Sequence, residues 1–245
     1  MARIRYSLNR DIAPTTPDTS EVLYGDDASV DPSEVRLLPP CAPTKIVCVG
    51  RNYPEHAREL GNEVPVEPLI FLKPPSSLIA SGDSIVYPAL SQRVDFEGEL
   101  GVIIGRRARH VPAASAMDYV LGYTCMNDVT ARDLQRKDGQ WTRGKGFDTF
   151  CAAGPVMVPK EQVTLADLRV VTRLDGVVKQ DGWAGDMLFP VDVVIAYVSA
   201  FMTLEPGDLI ATGTPPGVGS MLPGSTVQVE IAGIGLLENT VVQAN

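Results

Sequence analysis

The sequence predicts a mainly β, mixed α+β fold with few and short helices. Three observations carry this reading. Apolar runs are short and bounded by turn residues. Glycine (22) and proline (20) are frequent and spread along the 245 residues without a collagen period. Only residues 190–204 read as a long helix. The length suits one large domain, or one large and one small. With 44% hydrophobic and 21% charged residues, the chain can bury a core without disulfide staples.

Residues 1–40 are polar, acidic and punctuated by proline, with short strands expected at 6–8 and 22–24. They read as a small leader subdomain. Pro39-Pro40 closes it, because proline fixes φ and has no donor to extend a ladder, and a body of residues 41–245 follows. The body opens with an apolar strand at 44–50. A short helix comes next, with Pro54 in its first turn and Gly61 beyond its end. That helix has few apolar residues to dock it, so it is expected to act as a mobile lid. Strands follow at 69–72, 84–86 and 97–104, then a helix at 112–119 and a strand at 120–126. Thr130 and Asp133 form a loose capping box for a helix through Gln135. Further strands are expected at 170–174, 209–211, 226–231 and 236–241, roughly ten short strands in all.

Charge and motifs exclude several functions. The net charge is −9 and no lysine/arginine block is present, which argues against nucleic-acid binding. The longest apolar run, 193–204, is too short to span a bilayer, and the N-terminus has no apolar signal core. The protein is therefore expected in the cytoplasm with no membrane partner. The four cysteines include no CxxC pair and read as reduced, buried residues. Two histidines cannot make a three-histidine zinc site, and HExxH, GxSxG and Walker A motifs are absent.

The acids are more informative. In VDFEGELGVII, Glu97 and Glu99 project from one face of a strand, because side chains alternate with period two. Two carboxylates held so close need a cation, and oxygen-only ligands suit Mg²⁺, Mn²⁺ or Ca²⁺. Asp128, at the end of the next long strand, is a third candidate ligand. The spacing alone leaves a solvated strand face as the alternative. His56 and Glu59 share a helix face, where a carboxylate would orient an imidazole for proton transfer or water activation; a surface ion pair is the alternative. Arg132 and Gln135 also share a face, and Arg is a natural carboxylate clamp. Lys73 and Lys145 stand on proline- or glycine-flanked segments from which they could hold a carboxylate. TGTPPGVG (212–219) reads as a tight turn presenting backbone N–H groups and the Thr214 hydroxyl.

Seven ordered segments change the weight of these residues: GRNYPEHARELGN, PLIFLKPPSSLI, DFEGELGVIIG, GYTCMNDVTARDLQ, RGKGFDTFCAAGP, DMLFPVDVVIAYVS and GDLIATGTPPGVG. Together they resemble the fumarylacetoacetate hydrolase family from about Lys45 to the C-terminus. The resemblance implies a mixed β-roll core of that family's C-terminal domain type, a homodimer, and one Mg²⁺ or Mn²⁺ (Ca²⁺ in some crystals) on Glu97, Glu99 and Asp128. The implied substrates are small 2-oxo acids. The implied reactions are hydrolysis of an acylpyruvate C–C bond, decarboxylation of oxaloacetate or another oxo-diacid, and enol–keto isomerisation in aromatic catabolism. All develop an enolate or carbanion that a Lewis acid stabilises.

By the same resemblance, Lys145 meets the enolate or the substrate carboxylate, and Arg132 and Gln135 hold the 2-oxo acid end with help from Thr214. His56 and Glu59 ride a lid and activate water. Arg51 and Lys73 are substrate-binding or supporting groups. Acylpyruvate hydrolysis is the leading expectation, because both His56 and Glu59 are present. A catalytically silent oxo-acid or metal binder on the same scaffold is the competing class. One departure stands out: Gln180-Asp-Gly-Trp183-Ala-Gly-Asp186-Met187 replaces small and hydroxyl-bearing residues of relatives. If that loop reached the site, the distal part of the substrate would be smaller or more apolar.

Overall fold

The computed structural model describes residues 2–7, 23–26 and 35–244. Leu8 and Val22, the inner ends of the two expected leader strands, lie outside the described residues. The described residues hold eighteen strands, more than the sequence suggested, in sheets of ten, five and three strands. The excess arises because several expected loops close two- and three-residue ladders, such as Thr130–Ala131 on Val94–Phe96.

The ten-stranded sheet is built around Gly98–Ile104, buried along its whole length. It pairs antiparallel with Val120–Asp128 on one side and with Leu209–Ala211 on the other. Ile46–Gly50 runs parallel to Leu209–Ala211, and Leu69–Lys73 closes that edge. Such continuously apolar strands have both faces covered. The five-stranded sheet instead alternates buried and partly exposed positions along Thr226–Ile231, as a sheet with one wet face does. Helix Val191–Phe201 buries Val191, Val194, Ile195 and Val198, an i, i+3, i+4, i+7 stripe that docks it on the core.

The described part of the leader is continuous with the body. Arg3–Ser7 pairs with Cys151–Pro159 and with both Leu23–Asp26 and Arg36–Leu38, so these strands extend the large sheet. All four cysteines are free and buried, and burial pushes the Cys41 and Cys125 thiols up to about 12. No helix among the described residues is long and apolar enough to cross a membrane.

Candidate active site

The expected strand 97–104 begins one residue late. Glu97 occupies the joint between Val94–Phe96, in the three-stranded sheet, and Gly98–Ile104, in the ten-stranded sheet. Its backbone is fixed on the neighbouring strand: the Glu97 N–H donates to Asn127 Oδ1 at 3.0 Å, and the Asp128 N–H donates to the Glu97 carbonyl at 2.9 Å. Register places Glu99 opposite Met126, two residues from Asp128. One oxygen from each of Glu97, Glu99 and Asp128 lies within 4.8 Å of the others. Gly98, between the glutamates, has no room for a side chain: a Cβ there would fall 1.9 Å from Thr172 Oγ1 of the five-stranded sheet.

Three buried cations face these acids. Lys145 Nζ bridges Glu97 Oε2 and Asp128 Oδ2 at 2.6 Å each. Lys73 Nζ lies 2.5 Å from Asp128 Oδ1 and 3.1 Å from the Val129 carbonyl. Arg132 reaches Glu97 Oε1 at 2.5 Å and Asp95 Oδ2 at 2.9 Å, and its NH1 donates to Gln135. Burial works against ionisation of Glu97, but Arg132 and Lys145 overcome it and hold that carboxyl below the usual range. Burial likewise opposes the charge on Lys145, and Asp128 and Glu97 outweigh it, so its pKa is raised. Glu99 differs. Burial, then the nearby charges of Asp128 and Glu97, push its carboxyl well above normal, and its one hydrogen bond comes from the Gly213 N–H at 2.7 Å. An oxygen-only triad containing one carboxylate with no ion pair among the described residues fits a hard divalent ion.

The short helix Pro54–Glu59 brings His56 to this cluster. Its Nδ1 lies 3.2 Å from Glu59 Oε2, and its Nε2 faces Glu97 Oε1 at 4.0 Å. Burial pushes the imidazole down, against the opposing pull of Glu97 and Glu59, which keeps it neutral near pH 7. The helix is anchored by polar groups at both ends in place of an apolar face. Asn52, fully buried before it, exchanges hydrogen bonds with Phe189 and donates to the Thr212 carbonyl. Glu59 Oε1, at its end, accepts from the Gly217 N–H at 3.0 Å.

These groups line a cavity of about 390 Å³. Every residue with a catalytic, binding or metal role expected from the sequence lines it except Glu59 and Lys73. Glu59 stands behind His56. Lys73 is 1% exposed and spends its ammonium on Asp128, so it positions that acid and does not face the cavity. Thr214 lines the wall, but its hydroxyl donates to the Gly98 carbonyl at 2.8 Å and accepts from Gln180 Nε2 at 2.7 Å. Trp183 does not reach the site. It is 46% exposed and stacks beneath Arg169, 5.7 Å from the guanidinium carbon to the ring centre. The condition for a narrowed cavity is therefore not met, and the departure at Trp183 is a surface change; Gln180 turns inward instead, as alternation along Val177–Trp183 requires. Sequence reasoning missed Asp95, although VDFEGE carries acids at three alternate positions. It also missed Trp141, which no motif marked.

The fold and site define a fumarylacetoacetate hydrolase-type enzyme. The family described as fumarylacetoacetate (FAA) hydrolase C-terminal matches residues 45–242, and the chain belongs to it. Among its relatives, an uncharacterized protein of Archaeoglobus fulgidus is 49% identical over 91% of this chain and 88% of its own length. A human mitochondrial oxaloacetate tautomerase is 46% identical over 86% of this chain and 70% of its own. Two solved structures are also similar. The 2-hydroxyhepta-2,4-diene-1,7-dioate isomerase of Mycobacterium marinum has a TM-score of 0.85 and 39% identity, with all of both chains covered. The fumarylpyruvate hydrolase of Pseudomonas aeruginosa in complex with Mn²⁺ and pyruvate has a TM-score of 0.77 and 34% identity, over 82% of this chain and 90% of that one.

Proposed function

We propose that the protein is a divalent-cation-dependent enzyme of 2-oxo acids that hydrolyses the C–C bond of an acylpyruvate. The observation that carries this is the His56–Glu59 pair, with Nδ1 on the carboxylate and Nε2 turned to the acid cluster. With its Nδ1 proton donated to Glu59, the imidazole presents the Nε2 lone pair to the cavity. Glu97, Glu99 and Asp128 would hold the ion, Mg²⁺ or Mn²⁺, which supplies Lewis-acid stabilisation of an enolate. His56 takes a proton from water, and the hydroxide adds to the acyl carbon. The C–C bond then breaks, leaving a carboxylic acid and the enolate of pyruvate, which takes the proton back at carbon. The Lys145 ammonium stands beside that enolate and offsets its charge.

A second reading, enol–keto tautomerisation of oxaloacetate, is favoured by the human relative. The same imidazole would then move a proton between oxygen and carbon without water. One experiment separates the two. Metal-stripped protein is given acetylpyruvate, fumarylpyruvate or enol-oxaloacetate, with and without Mg²⁺ or Mn²⁺, alongside Glu97→Ala. Metal-dependent loss of an acylpyruvate, absent from the variant, supports hydrolysis. Conversion of enol-oxaloacetate alone overturns it in favour of tautomerisation. Failure of every substrate overturns both.

A further inference from the structure

One turn, residues 212–217, bonds both to the strand that carries the glutamates and to the helix that carries His56. Toward the strand, the Thr212 N–H and hydroxyl donate to the Leu100 carbonyl at 3.2 and 2.9 Å. The Gly213 N–H donates to Glu99 Oε2 at 2.7 Å, and the Thr214 hydroxyl to the Gly98 carbonyl at 2.8 Å. Toward the helix, the Thr212 carbonyl accepts from Asn52 Nδ2 at 2.7 Å, and the Gly217 N–H donates to Glu59 Oε1 at 3.0 Å. The other oxygen of Glu59 is the one beside His56 Nδ1. The turn therefore ties both ends of the helix to the acid-bearing strand. Its middle cannot fasten itself, because Pro215 and Pro216 have no N–H to donate. Gln180 stands behind it, fully buried and outside the cavity. Its Oε1 accepts the Gly98 N–H at 2.9 Å, and its Nε2 donates to the Thr214 hydroxyl and the Pro215 carbonyl, each at 2.7 Å. Only a primary amide offers one acceptor and two donors on a side chain of this length. At Gly217, φ 102, a Cβ would fall 2.0 Å from the Lys179 carbonyl, so the turn lies flat on the strand of Gln180.

We propose that Gln180 is a positioning residue for the proton transfer: through the turn 212–217 it fixes Glu59, and with it the His56 imidazole, at one height above the acid triad. The inference rests on the reading of His56 as the group that moves the proton, and adds to it how that group is held in place.

The test pairs kinetics with a spectroscopic signal. Gln180→Met keeps the length of the side chain and removes its hydrogen bonds. For the substrate that the wild type turns over, it should lower kcat roughly 10- to 100-fold, the scale of a small misplacement of a reacting group, with KM within about threefold. Mg²⁺ affinity, read from the chelator-reversible Tm shift, should also stay within about threefold. Glu59→Ala cuts the turn off from the imidazole, so adding Gln180→Met to it should cost no more than about a further twofold. The chain has two histidines, His56 and His110, so isotope-labelled histidine reports each ring separately by NMR. His56 should carry its proton on Nδ1 in the wild type and lose that single tautomer in both Gln180→Met and Glu59→Ala, while the His110 signals stay in place. Thr214→Val removes one acceptor of the amide; it should move the His56 signals the same way to a smaller degree, and it carries the test if Gln180→Met does not fold. Unmoved His56 signals, losses that multiply with those of Glu59→Ala, or Mg²⁺ affinity falling in step with turnover overturn the positioning role. If no substrate turns over and the His56 signals still respond to Gln180→Met as to Glu59→Ala, the proposed reaction fails and the positioning stands.

Discussion

Two buried carboxylates, Asp208 and Glu99, show how one side chain serves architecture in one place and chemistry in another. Asp208 is fully buried before strand Leu209–Ala211 and is saturated with donors. The Thr44 and Lys45 amides, the Thr44 hydroxyl and the Glu205 amide all point at it, and the Lys45 ammonium pairs with it. Glu99 is as deeply buried, yet it holds one backbone donor and faces two other acids. A buried charge with every lone pair answered fastens two segments together. A buried charge left short of partners is destabilising on its own, and it marks where a ligand has to arrive.

The sharpest break in this comparison is Glu99→Gln. It should lower cation-dependent turnover about a thousandfold or more, because the lost ligand removes several kcal/mol of charge stabilisation. It should leave the Tm of the metal-free protein unchanged or higher, since it removes a buried carboxyl whose ionisation burial and the neighbouring acids already oppose. Asp208→Asn should do the reverse. It should destabilise the fold by about 3 kcal/mol, roughly 5–10 °C in Tm, while the folded fraction keeps its kcat. Parallel melting curves decide the matter: if Glu99→Gln melts as early as Asp208→Asn, the distinction fails. Slightly smaller is the effect of the ion. Mg²⁺ or Mn²⁺ at about 100 times its Kd should stabilise the wild type by about 2.7 kcal/mol, read as a Tm shift reversed by chelator, and Glu99→Gln far less. Smallest is Trp183→Phe, which should move Tm by no more than about 2 °C and leave KM untouched, because that ring lies outside the cavity.

Legibility from sequence follows the range of the interaction. Glu97 and Glu99 declare themselves because a two-residue spacing on a strand is a local rule, and His56 with Glu59 because a three-residue spacing on a helix is another. The motif order then carried the fold and the place of Asp128. The roles of Lys73 and Thr214 depend on partners 55 and 34 residues away, Asp128 and Gln180, and no local pattern reports what a side chain has been spent on. The short helix Pro54–Glu59 shows the same limit. Its want of apolar residues is plain, but its anchorage through Asn52 to Phe189 and Thr212 is a matter of tertiary placement. Trp183 could not be placed from its motif, because alternation decides which of Gln180 and Trp183 faces inward, and the register of that strand comes from its partner Arg169–Leu174.

Gly98 has no functional group and would meet no reactant, yet Thr172 and Gln180 press on it from behind while its neighbours on either side carry the acids. A saturation screen scored by folded protein would rank it among the most intolerant positions of the chain. An observer reading that intolerance as catalysis would be misled. The constraint on the spacer comes from the far side of the strand, and the two glutamates inherit their spacing from a residue that offers backbone hydrogen bonds and the want of a side chain.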